Sequence, residues 1–268
     1  MQSVVITNFC PDDDLKKRFE LEPFAQGLYR CDSLDVALRG SSLVSYYKKG
    51  SFVGVRPKDF WPEAVFFDMD STLIEEESGV VLAESLGIKD EMDRMTEAAM
   101  RGEICFEESF RARLRLLKGL SMATVVETFS QLHLHRGVSE LCFWLKQKGI
   151  PIFVISGGFS VFCEYIAQVI GAEDWHANKV DVKDNCLTGE LTGALVARRD
   201  KRVWFEKICR KKLINPAKAV MIGDGANDKD ILEVAGLGVG FQPKEVLYSS
   251  IHVFNGTESH KYLIDFFQ

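Results

Sequence analysis

The 268-residue sequence lacks the patterns that mark several large classes of protein. No apolar run approaches the roughly 20 residues that span a bilayer, so we predict no association with a membrane. The formal net charge of −6 leaves no basic footprint typical of nucleic-acid binding, and we predict no nucleic-acid partner. The N-terminal residues have neither a positively charged region nor a long apolar core, so we predict no export signal and a cytoplasmic protein.

Cysteine and histidine are present, but without the spacing that metal or disulfide sites need. The seven cysteines are scattered, odd in number and never form C-x-x-C, which indicates reduced thiols rather than a disulfide framework or a zinc site. The five histidines form no H-E-x-x-H. Rival phosphate motifs are missing as well, because no G-K-[ST] occurs and the G-x-G of Gly223 and Gly225 has Asp228 in place of its third glycine.

The stretch Ala64–Leu73 is the feature around which the remaining motifs are arranged. Its four apolar residues predict a short buried strand, and Asp68, Met69 and Asp70 follow directly. Because side chains alternate along an extended chain, the two carboxylates should emerge on one side and Met69 on the other. Two carboxylates at the end of a hydrophobic strand are costly unless a divalent cation, a phosphoryl group or both bind there.

Further short apolar strands alternate with helices towards the C-terminus. The predicted strands are Pro151–Ile155, Ala219–Ile222 and Leu237–Phe241, and the predicted helices are Phe159–Ile170, Arg202–Leu213 and Lys229–Ala235, with a small hairpin within Lys179–Ala194. This alternation predicts an α/β fold, a Rossmann-like parallel sheet with helices on both faces. Ligands of such sheets bind at the carboxyl ends of the strands, where Ser156 and the run Asp224–Asp228 also lie.

The chain divides by its character into three predicted parts. We predict an N-terminal α+β extension at residues 1–62, a core at residues 63–75 and 132–268, and an inserted helical cap at residues 76–131. The extension should contain a strand at Val4–Thr7, a helix from Asp12 to Leu21, and a hairpin of Leu43–Tyr47 and Ser51–Val55. About 60 residues bury little surface alone, so the extension should pack on the core or on a second subunit, which allows a homodimer.

One arginine of the predicted cap shares a helix face with apolar side chains. On a helix that begins near Phe106, a single face carries Phe106, Phe110, Arg113 and Leu117. Arg111 and Arg115 point away from this face. Since an inward arginine is rarely buried without an anionic partner, Arg113 either forms a structural ion pair with a nearby glutamate or binds an anionic ligand.

The polar clusters together contain the groups that phosphoryl transfer from a monoester requires. Asp68 can act as the nucleophile and Asp70 as the acid and base, since a carboxyl group crowded by another is pushed towards its protonated form. The Ser156 hydroxyl and the Gly157 amide suit phosphate oxygens, and Gly158 permits the turn.

The other groups are a metal site and a cation. Asp224, Asp68 and the Asp70 main-chain carbonyl could hold Mg²⁺, and Asp228 could hold a metal-bound water or orient a lysine. That lysine would be Lys201. Each motif alone is typical of a loop or a solvated surface, so the prediction depends on their order along the chain.

The motifs DMDST, SGGF, Lys201 and GDGAND resemble the four motifs of the haloacid dehalogenase-like phosphatases. Within them the closer likeness is to the phosphoserine phosphatase family, from about Ala64 to near the C-terminus. The segment EAAMRGEICFEESFRARLRLLKGL is similar to the substrate-specificity region of that family. The resemblance implies Mg²⁺-dependent hydrolysis of O-phospho-L-serine to serine and phosphate through an aspartyl phosphate, the last step of serine biosynthesis.

The resemblance also implies a role for each matching residue. The catalytic residues would be Asp68, Asp70 and Lys201, and the metal would be held by Asp68, Asp70, Asp224 and Asp228. The substrate ammonium would meet Glu77 and its carboxylate Arg113, while Met100 and Phe106 would shield the closed site. The phosphate would be held by Ser156, Gly157 and Lys201, and Asn227 would orient the substrate and the loop beside the metal.

Two alternatives stay open at this point. A sister enzyme could act on another small ester such as phosphohomoserine, or move the phosphoryl group to a hydroxyl compound instead of water. A catalytically silent phosphate-binding or scaffold module, in which residues 1–62 carry the function, is a hypothesis from another class. The intact charges of Asp68, Asp70, Lys201, Asp224 and Asp228 argue against the silent module.

Overall fold

The computed structural model describes residues 3–7, 22–25, 28–34, 49–100 and 103–268. The strands are β1 Ser3–Thr7, β2 Glu22–Ala25, β3 Leu28–Leu34, β4 Phe52–Pro57, β5 Ala64–Phe67, β6 Ile152–Phe159, β7 Asp174–Asn178, β8 Val180–Lys183, β9 Cys186–Leu191, β10 Ala219–Gly223, β11 Leu237–Phe241 and β12 Val253–Asn255.

The α-helices are α1 Ser78–Ser85, α2 Lys89–Met100, α3 Phe106–Leu116, α4 Met122–Glu127, α5 Val138–Gln147, α6 Ser160–Ile170, α7 Arg198–Lys212, α8 Lys229–Leu232 and α9 Tyr262–Phe267. Short 3₁₀ turns lie at Thr128–Gln131, Pro216–Lys218, Ala226–Asp228 and Glu245–Leu247. None of the helices in the described part of the chain is both long and apolar enough to cross a bilayer.

Ten strands form one sheet in the order β2-β3-β1-β4-β12-β11-β10-β5-β6-β7. The six strands from β12 to β7 are parallel, which confirms the predicted α/β fold. Strand β4 pairs antiparallel with β12 and with β1, so the described N-terminal strands continue the sheet of the core.

The strand at Val4–Thr7 is confirmed within β1, and Ser51–Val55 overlaps β4. The helix Asp12–Leu21 and the arm Leu43–Tyr47 lie outside the described residues, and the division at residue 62 stays a prediction.

The apolar run of β5 is buried on both faces because its side chains alternate between two helical layers. Val65 and Phe67 belong to the cluster that α5, α6 and α9 cover. Ala64 and Phe66 belong to the opposite cluster, and Phe66 contacts Phe205 of α7 at 4.7 Å between ring centroids. The prediction of helices on both faces is therefore confirmed, and the central strand can deliver Asp68 to the edge of the sheet from a rigid position.

Helix α7 begins earlier than the predicted Arg202, and this difference matters for the site. It starts at Arg198, where the carboxylate of Asp200 accepts a hydrogen bond from the Ala197 amide at 3.0 Å. An acidic side chain that satisfies a free amide at a helix N-terminus stabilises that end. The earlier start places Lys201 in the first turn of the helix. The predicted hairpin is confirmed, and so is the predicted end of the helix at Ile170, which Gly171 follows in the left-handed conformation.

The region predicted as a cap contains the four helices α1 to α4, inserted between β5 and β6. The hairpin β8–β9 packs against the loop that precedes α4 and against the first residue of that helix. The Gly119 amide donates to Leu187 at 2.8 Å, the Leu187 amide donates to Leu120 at 2.8 Å, and the Met122 amide donates to Asn185 at 2.9 Å. Backbone hydrogen bonds between hairpin and cap were not predicted, because strand pairing over 60 residues leaves no local sequence signal.

Gly137, which precedes α5, lies very close to the C-terminal segment, so its substitution shows how closely that segment packs on the core. Its φ is +82°, and a Cβ there would lie 2.6 Å from the Lys261 backbone nitrogen. Gly137→Ala should therefore lower the free energy of unfolding by more than about 2 kcal/mol. Gly87→Ala is the matched control, with φ +68° and open space, and should cost about 1 kcal/mol. Equal losses in urea unfolding would contradict the close approach.

Candidate active site

A cavity of about 370 Å³ lies at the carboxyl ends of β5, β6 and β10 and is also lined by residues of α1, α2 and α3 in the region predicted as a cap. The structure brings most of the predicted site residues to its wall: Asp68, Asp70, Glu77, Arg113, Gly157, Lys201, Asp224 and Asn227. Ser156 and Asp228 are fully buried directly beside this wall. The side chains of Met100 and Phe106 lie outside the described ones, so their predicted shielding role stays untested.

Lys201 forms the central ion pair of the site. Its Nζ lies 2.8 Å from Asp68 Oδ1 and 2.8 Å from Asp228 Oδ1, and the side chain is 0% exposed. Burial alone would lower the pKa of Lys201, but Asp228 and Asp68 outweigh burial and hold that pKa above its ordinary value. Its basic neighbours are on the surface instead, where Arg198 pairs with Asp230 and Arg202 with Glu206.

Three carboxylates gather around this ammonium group. Oxygen atoms of Asp68, Asp224 and Asp228 all lie within 4.8 Å of one another. Burial, followed by the charge of Asp68, raises the pKa of Asp224 to about 6 and also raises the pKa of Asp228. Crowded, buried carboxylates are relieved by a cation, and oxygen ligands suit a hard divalent ion. The residues present therefore fit a divalent metal site.

Asp70 has a different environment from Asp68, although the two lie side by side. Its Oδ1 accepts a hydrogen bond from the Ser78 amide at 2.7 Å. Burial and the charge of Glu77 raise the pKa of Asp70, while the Ser78 amide and hydroxyl act in the opposite direction. The carboxyl also approaches Gly158 so closely that a Cβ there would lie 2.6 Å from Asp70 Oδ2. Gly158 therefore provides space for the Asp70 carboxyl, whereas the predicted need for a glycine at the turn is wrong, because Gly158 lies within β6 and its φ is not in the left-handed region.

The chain leaves β5 through a residue with an unusual backbone conformation. Ser71 has φ +56°, and its hydroxyl donates to Glu77 Oε1 at 2.9 Å. Three amides that follow, those of Thr72, Leu73 and Ile74, converge on the Met69 carbonyl. This tight turn reverses the chain beside the cavity and places Glu77 on its wall, directly before α1.

The loop after β6 is held by a residue that the sequence analysis missed. Ser156 Oγ accepts the Gly158 amide at 2.9 Å. Asn178, fully buried at the end of β7, donates to the Gly157 carbonyl at 2.8 Å and accepts the Val196 amide at 2.6 Å. Its amide side chain therefore ties the Gly157 loop to the segment before α7. No sequence pattern distinguishes Asn178 from an ordinary strand-end asparagine.

Arg113 points into the cavity, as the helical periodicity predicted. Its guanidinium lies 5.6 Å from the Phe110 ring centroid, and its Nε is buried with no hydrogen-bond partner among the described residues. Burial lowers the pKa of Arg113, which Glu77 partly opposes. Arg111 and Arg115 instead pair with Glu107 and Glu190 on the outside. No carboxylate of the described residues forms an ion pair with Arg113, so the ligand-binding interpretation is favoured over the structural one.

Two further contacts complete the wall beside the metal site. Asn227 Nδ2 donates to Asp68 Oδ2 at 3.3 Å. Lys244 Nζ lies 3.7 Å from Asp224 Oδ2, and the Lys244 amide donates to the Asp224 carbonyl at 3.0 Å. Sequence reasoning missed Lys244, since a lysine with a 70% exposed side chain in a loop carries no distinguishing pattern. It adds a positive charge beside Asp224 at the rim of the cavity.

Comparison with known proteins agrees with this geometry. Residues 65–233 match the family model of haloacid dehalogenase-like hydrolases. A solved structure titled as a phospho-aspartyl intermediate analogue of phosphoserine phosphatase is 31% identical, with a TM-score of 0.70, and the match covers 78% of this chain and 100% of that one. The chain belongs to the phosphoserine phosphatases, within the haloacid dehalogenase-like hydrolases.

Two other relatives show how far the likeness extends. A phosphoserine phosphatase of Archaeoglobus fulgidus is 42% identical over 183 residues, which are 68% of this chain and 53% of that protein. The chain therefore spans about half the length of this curated relative. A haloacid dehalogenase-family hydrolase of Salmonella enterica serovar Typhi shares the fold over 98% of both chains, with a TM-score of 0.86 and 24% identity.

Membership of this phosphatase family confirms the resemblance drawn from the four motifs, and the structure confirms that they converge. The individual catalytic, substrate-binding and metal-binding roles stay predictions. The geometry establishes a cavity whose walls carry a carboxylate cluster, a buried ammonium group and an arginine whose Nε has no hydrogen-bond partner among the described residues.

The buried ion pairs of Lys201 generate a prediction about stability. Lys201→Met would leave Asp68 and Asp228 buried without their cation, so the free energy of unfolding should fall by about 3–5 kcal/mol. Addition of a divalent cation should restore part of the loss. Urea unfolding with and without the cation measures both effects.

Lys211→Met on the same helix is the matched control. Lys211 forms only an exposed ion pair with Asp174 at 3.5 Å, so its loss should cost less than about 1 kcal/mol and should not respond to the cation. Equal losses of unfolding free energy in the two variants would contradict the claim that the ion pairs of Lys201 stabilise the fold.

Proposed function

We propose that this protein hydrolyses O-phospho-L-serine to serine and phosphate, with Mg²⁺, through a phosphorylated Asp68. The observation that carries the proposal is Arg113, whose guanidinium Nε is buried with no hydrogen-bond partner among the described residues, on the same cavity wall as Asp68 and Asp70. A phosphomonoester that also bears a carboxylate supplies both anions that such a cavity needs. The relatives named as phosphoserine phosphatases support the same substrate.

Asp68 is proposed as the nucleophile. Its Oδ1 accepts the Met69 amide at 2.8 Å and contacts Lys201, whereas Oδ2 has, among the described residues, only the longer contact with Asn227. We therefore assign Oδ2 as the atom that attacks phosphorus. The ammonium of Lys201 offsets the charge of Asp68 as the anionic phosphate approaches, which is the main requirement of phosphoryl transfer.

Asp70 is proposed as the general acid and then the general base. Its raised pKa keeps the carboxyl protonated to a pH nearer neutrality than an exposed aspartate, so it can give a proton to the leaving serine oxygen. The resulting carboxylate then takes a proton from the water that hydrolyses the aspartyl phosphate. One residue thus serves both half-reactions.

Asp68, Asp224 and Asp228, with the Asp70 carbonyl, would hold the metal, and we propose Mg²⁺ as the ion. When bound it supplies positive charge against the phosphoryl oxygens. Lys244 and Asn227 hold the ligand loop in place through Asp224 and Asp68.

The substrate groups are proposed to divide between core and cap. Ser156, Gly157 and Lys201 would bind the phosphate, Asn227 would orient the substrate, Glu77 would bind the ammonium, and Arg113 would bind the carboxylate. Met100 and Phe106 of the cap would shield the closed site. Closure over a cavity of about 370 Å³ would exclude bulk water before transfer, and reopening would release serine.

The wider setting is part of the same proposal. Hydrolysis of phosphoserine would complete serine biosynthesis in the cytoplasm. A homodimer stays a prediction, as does the absence of a nucleic-acid partner. The rival transfer of the phosphoryl group to homoserine is distinguished by measuring phosphate release with and without that alcohol, since a transferase would release less phosphate when the acceptor is present.

The nucleophile assignment is tested with Asp68→Asn. Wild-type protein should release phosphate from phosphoserine with Mg²⁺, lose the activity with a chelator, and trap acid-stable phosphate. Asp68→Asn should fold yet lose turnover and labelling, because an amide is not a nucleophile. Asp184→Asn, at the exposed turn of β8–β9 where φ is +52°, is the control and should retain both. Substantial turnover by Asp68→Asn would refute the assignment.

The role of Arg113 is tested with two substrates. Arg113→Ala should lower kcat/KM for phosphoserine roughly 10- to 100-fold, the value of a charge-assisted hydrogen bond, but should spare phosphoethanolamine, which has no carboxylate. Arg115→Ala, on the exposed face of the same helix, should change neither. Equal losses on both substrates would show that Arg113 is structural.

A further inference from the structure

A second cavity, of about 460 Å³, lies where the C-terminal segment meets the residues before β4 and α5. Three segments line it: Lys49 and Gly50 before β4, Arg136 before α5, and six residues between Gly256 and Tyr262. It shares no lining residue with the active-site cavity. The proposed reaction therefore gives no account of this cavity.

Backbone contacts hold the three segments together. The Gly50 amide donates to the Gly256 carbonyl at 2.6 Å, and the His260 amide donates to the Arg136 carbonyl at 2.9 Å. Arg136 also forms a parallel β-bridge with Ser259. The side chains around the cavity consequently extend from backbone positions that are fixed relative to one another.

The cavity carries a surplus of positive charge. Lys49, Arg136 and Lys261 line it, against the single carboxylate of Glu258. Within the described ranges, none of these three cations forms an ion pair or a hydrogen bond through its side chain, although Arg136 is half-buried. Positive groups gathered in a concave wall reinforce one another's potential, which favours a bound anion.

The polar groups of the cavity are suited to donate hydrogen bonds to such an anion. Ser259 Oγ accepts the Lys261 amide at 3.1 Å, and its own hydroxyl hydrogen has no acceptor in the part of the chain that the structure describes. The guanidinium of Arg136 adds donors in a planar fork, a geometry that matches phosphate oxygens. The cavity thus combines charge and directional donors.

We propose that this cavity binds the phosphate dianion, either as inorganic phosphate or as the phosphate group of a small ester. Three positive charges and one carboxylate leave an excess that two negative charges would offset, whereas a monocarboxylate would offset half of it. The site is separate from the reaction, so the proposal does not depend on which substrate the active site hydrolyses.

A titration with inorganic phosphate, followed by amide NMR at a pH where phosphate is mostly the dianion, tests the proposal. The amides of Thr257, Ser259 and Lys261 should shift and saturate with phosphate, but not with chloride at equal ionic strength. The Gly157 amide lies at the active-site cavity and reports phosphate bound there separately. One experiment therefore resolves the two sites.

Three variants show which side chains bind the anion. Arg136→Gln should weaken phosphate affinity at the three reporting amides about tenfold, the value of a charge-assisted hydrogen bond, without changing the response of Gly157. Lys261→Gln should weaken it roughly twofold to fivefold, because this ammonium is exposed. Arg210→Gln makes the same change of charge on an exposed residue of α7 outside the cavity and should have no effect. Urea unfolding checks that each variant is folded.

Two further ligands decide the chemistry of the site. Glycerol 3-phosphate, titrated with a chelator present, distinguishes the sources: tighter binding than inorganic phosphate assigns the site to a small ester, and equal or weaker binding assigns it to the free ion. Malonate, a dicarboxylate, should bind at least tenfold more weakly. An equal response to malonate, no saturable shift, unchanged affinity in Arg136→Gln, or equal weakening in Arg210→Gln would overturn the proposal.

Discussion

A single buried ammonium group sets the geometry of this protein. Lys201 Nζ lies 2.8 Å from carboxylates that are delivered by two different strand ends, and none of its surface is exposed. A lysine buried in this way is tolerated only with its counter-charges, and the carboxylates are tolerated only with it. The carboxyl end of β5, the first turn of α7 and the segment after β10 must therefore meet at one point. The parallel sheet makes this meeting possible, because neighbouring strands end at the same edge.

The charges around that point explain why the cavity suits an anionic ester together with a cation. Asp68, Asp224 and Asp228 crowd one side, and Lys201 alone does not offset them. On the other side the cap contributes a guanidinium whose Nε is buried without a partner among the described residues. Near the core the three carboxylates therefore outnumber the buried ammonium group, and near the predicted cap the Nε of Arg113 has no acceptor among the described residues. A divalent ion bound below and a carboxylate-bearing phosphomonoester bound above would correct both imbalances at once.

The features that depend on local pattern and on motif order could be predicted from the sequence. Alternation placed Asp68 and Asp70 on one side with Met69 in the core, and helical periodicity turned Arg113 inward. Sequence reasoning could not reach contacts made between distant segments. Asn178 ties two loops together through hydrogen bonds that span about 20 residues, Lys244 reaches Asp224 from an exposed loop, and β4 pairs with β12. No short-range periodicity encodes such contacts, so only the folded chain reveals them.

The two aspartates of the DMDST motif owe their direction to the strand and their different proposed chemical roles to their surroundings. Strand geometry gives them the same direction, yet it does not give them the same role. Asp68 contacts an ammonium group, which offsets its charge and suits it to attack phosphorus. Asp70 forms no ion pair with a cation in the described part of the chain; it faces Glu77, and burial raises its pKa. Two carboxyl groups that differ in this way can serve as nucleophile and acid in the same reaction. Their environments come from the helices, since Lys201 lies in the first turn of α7 and Ser78 begins α1. The chemistry of one strand end is therefore set by the starts of two helices that pack around it.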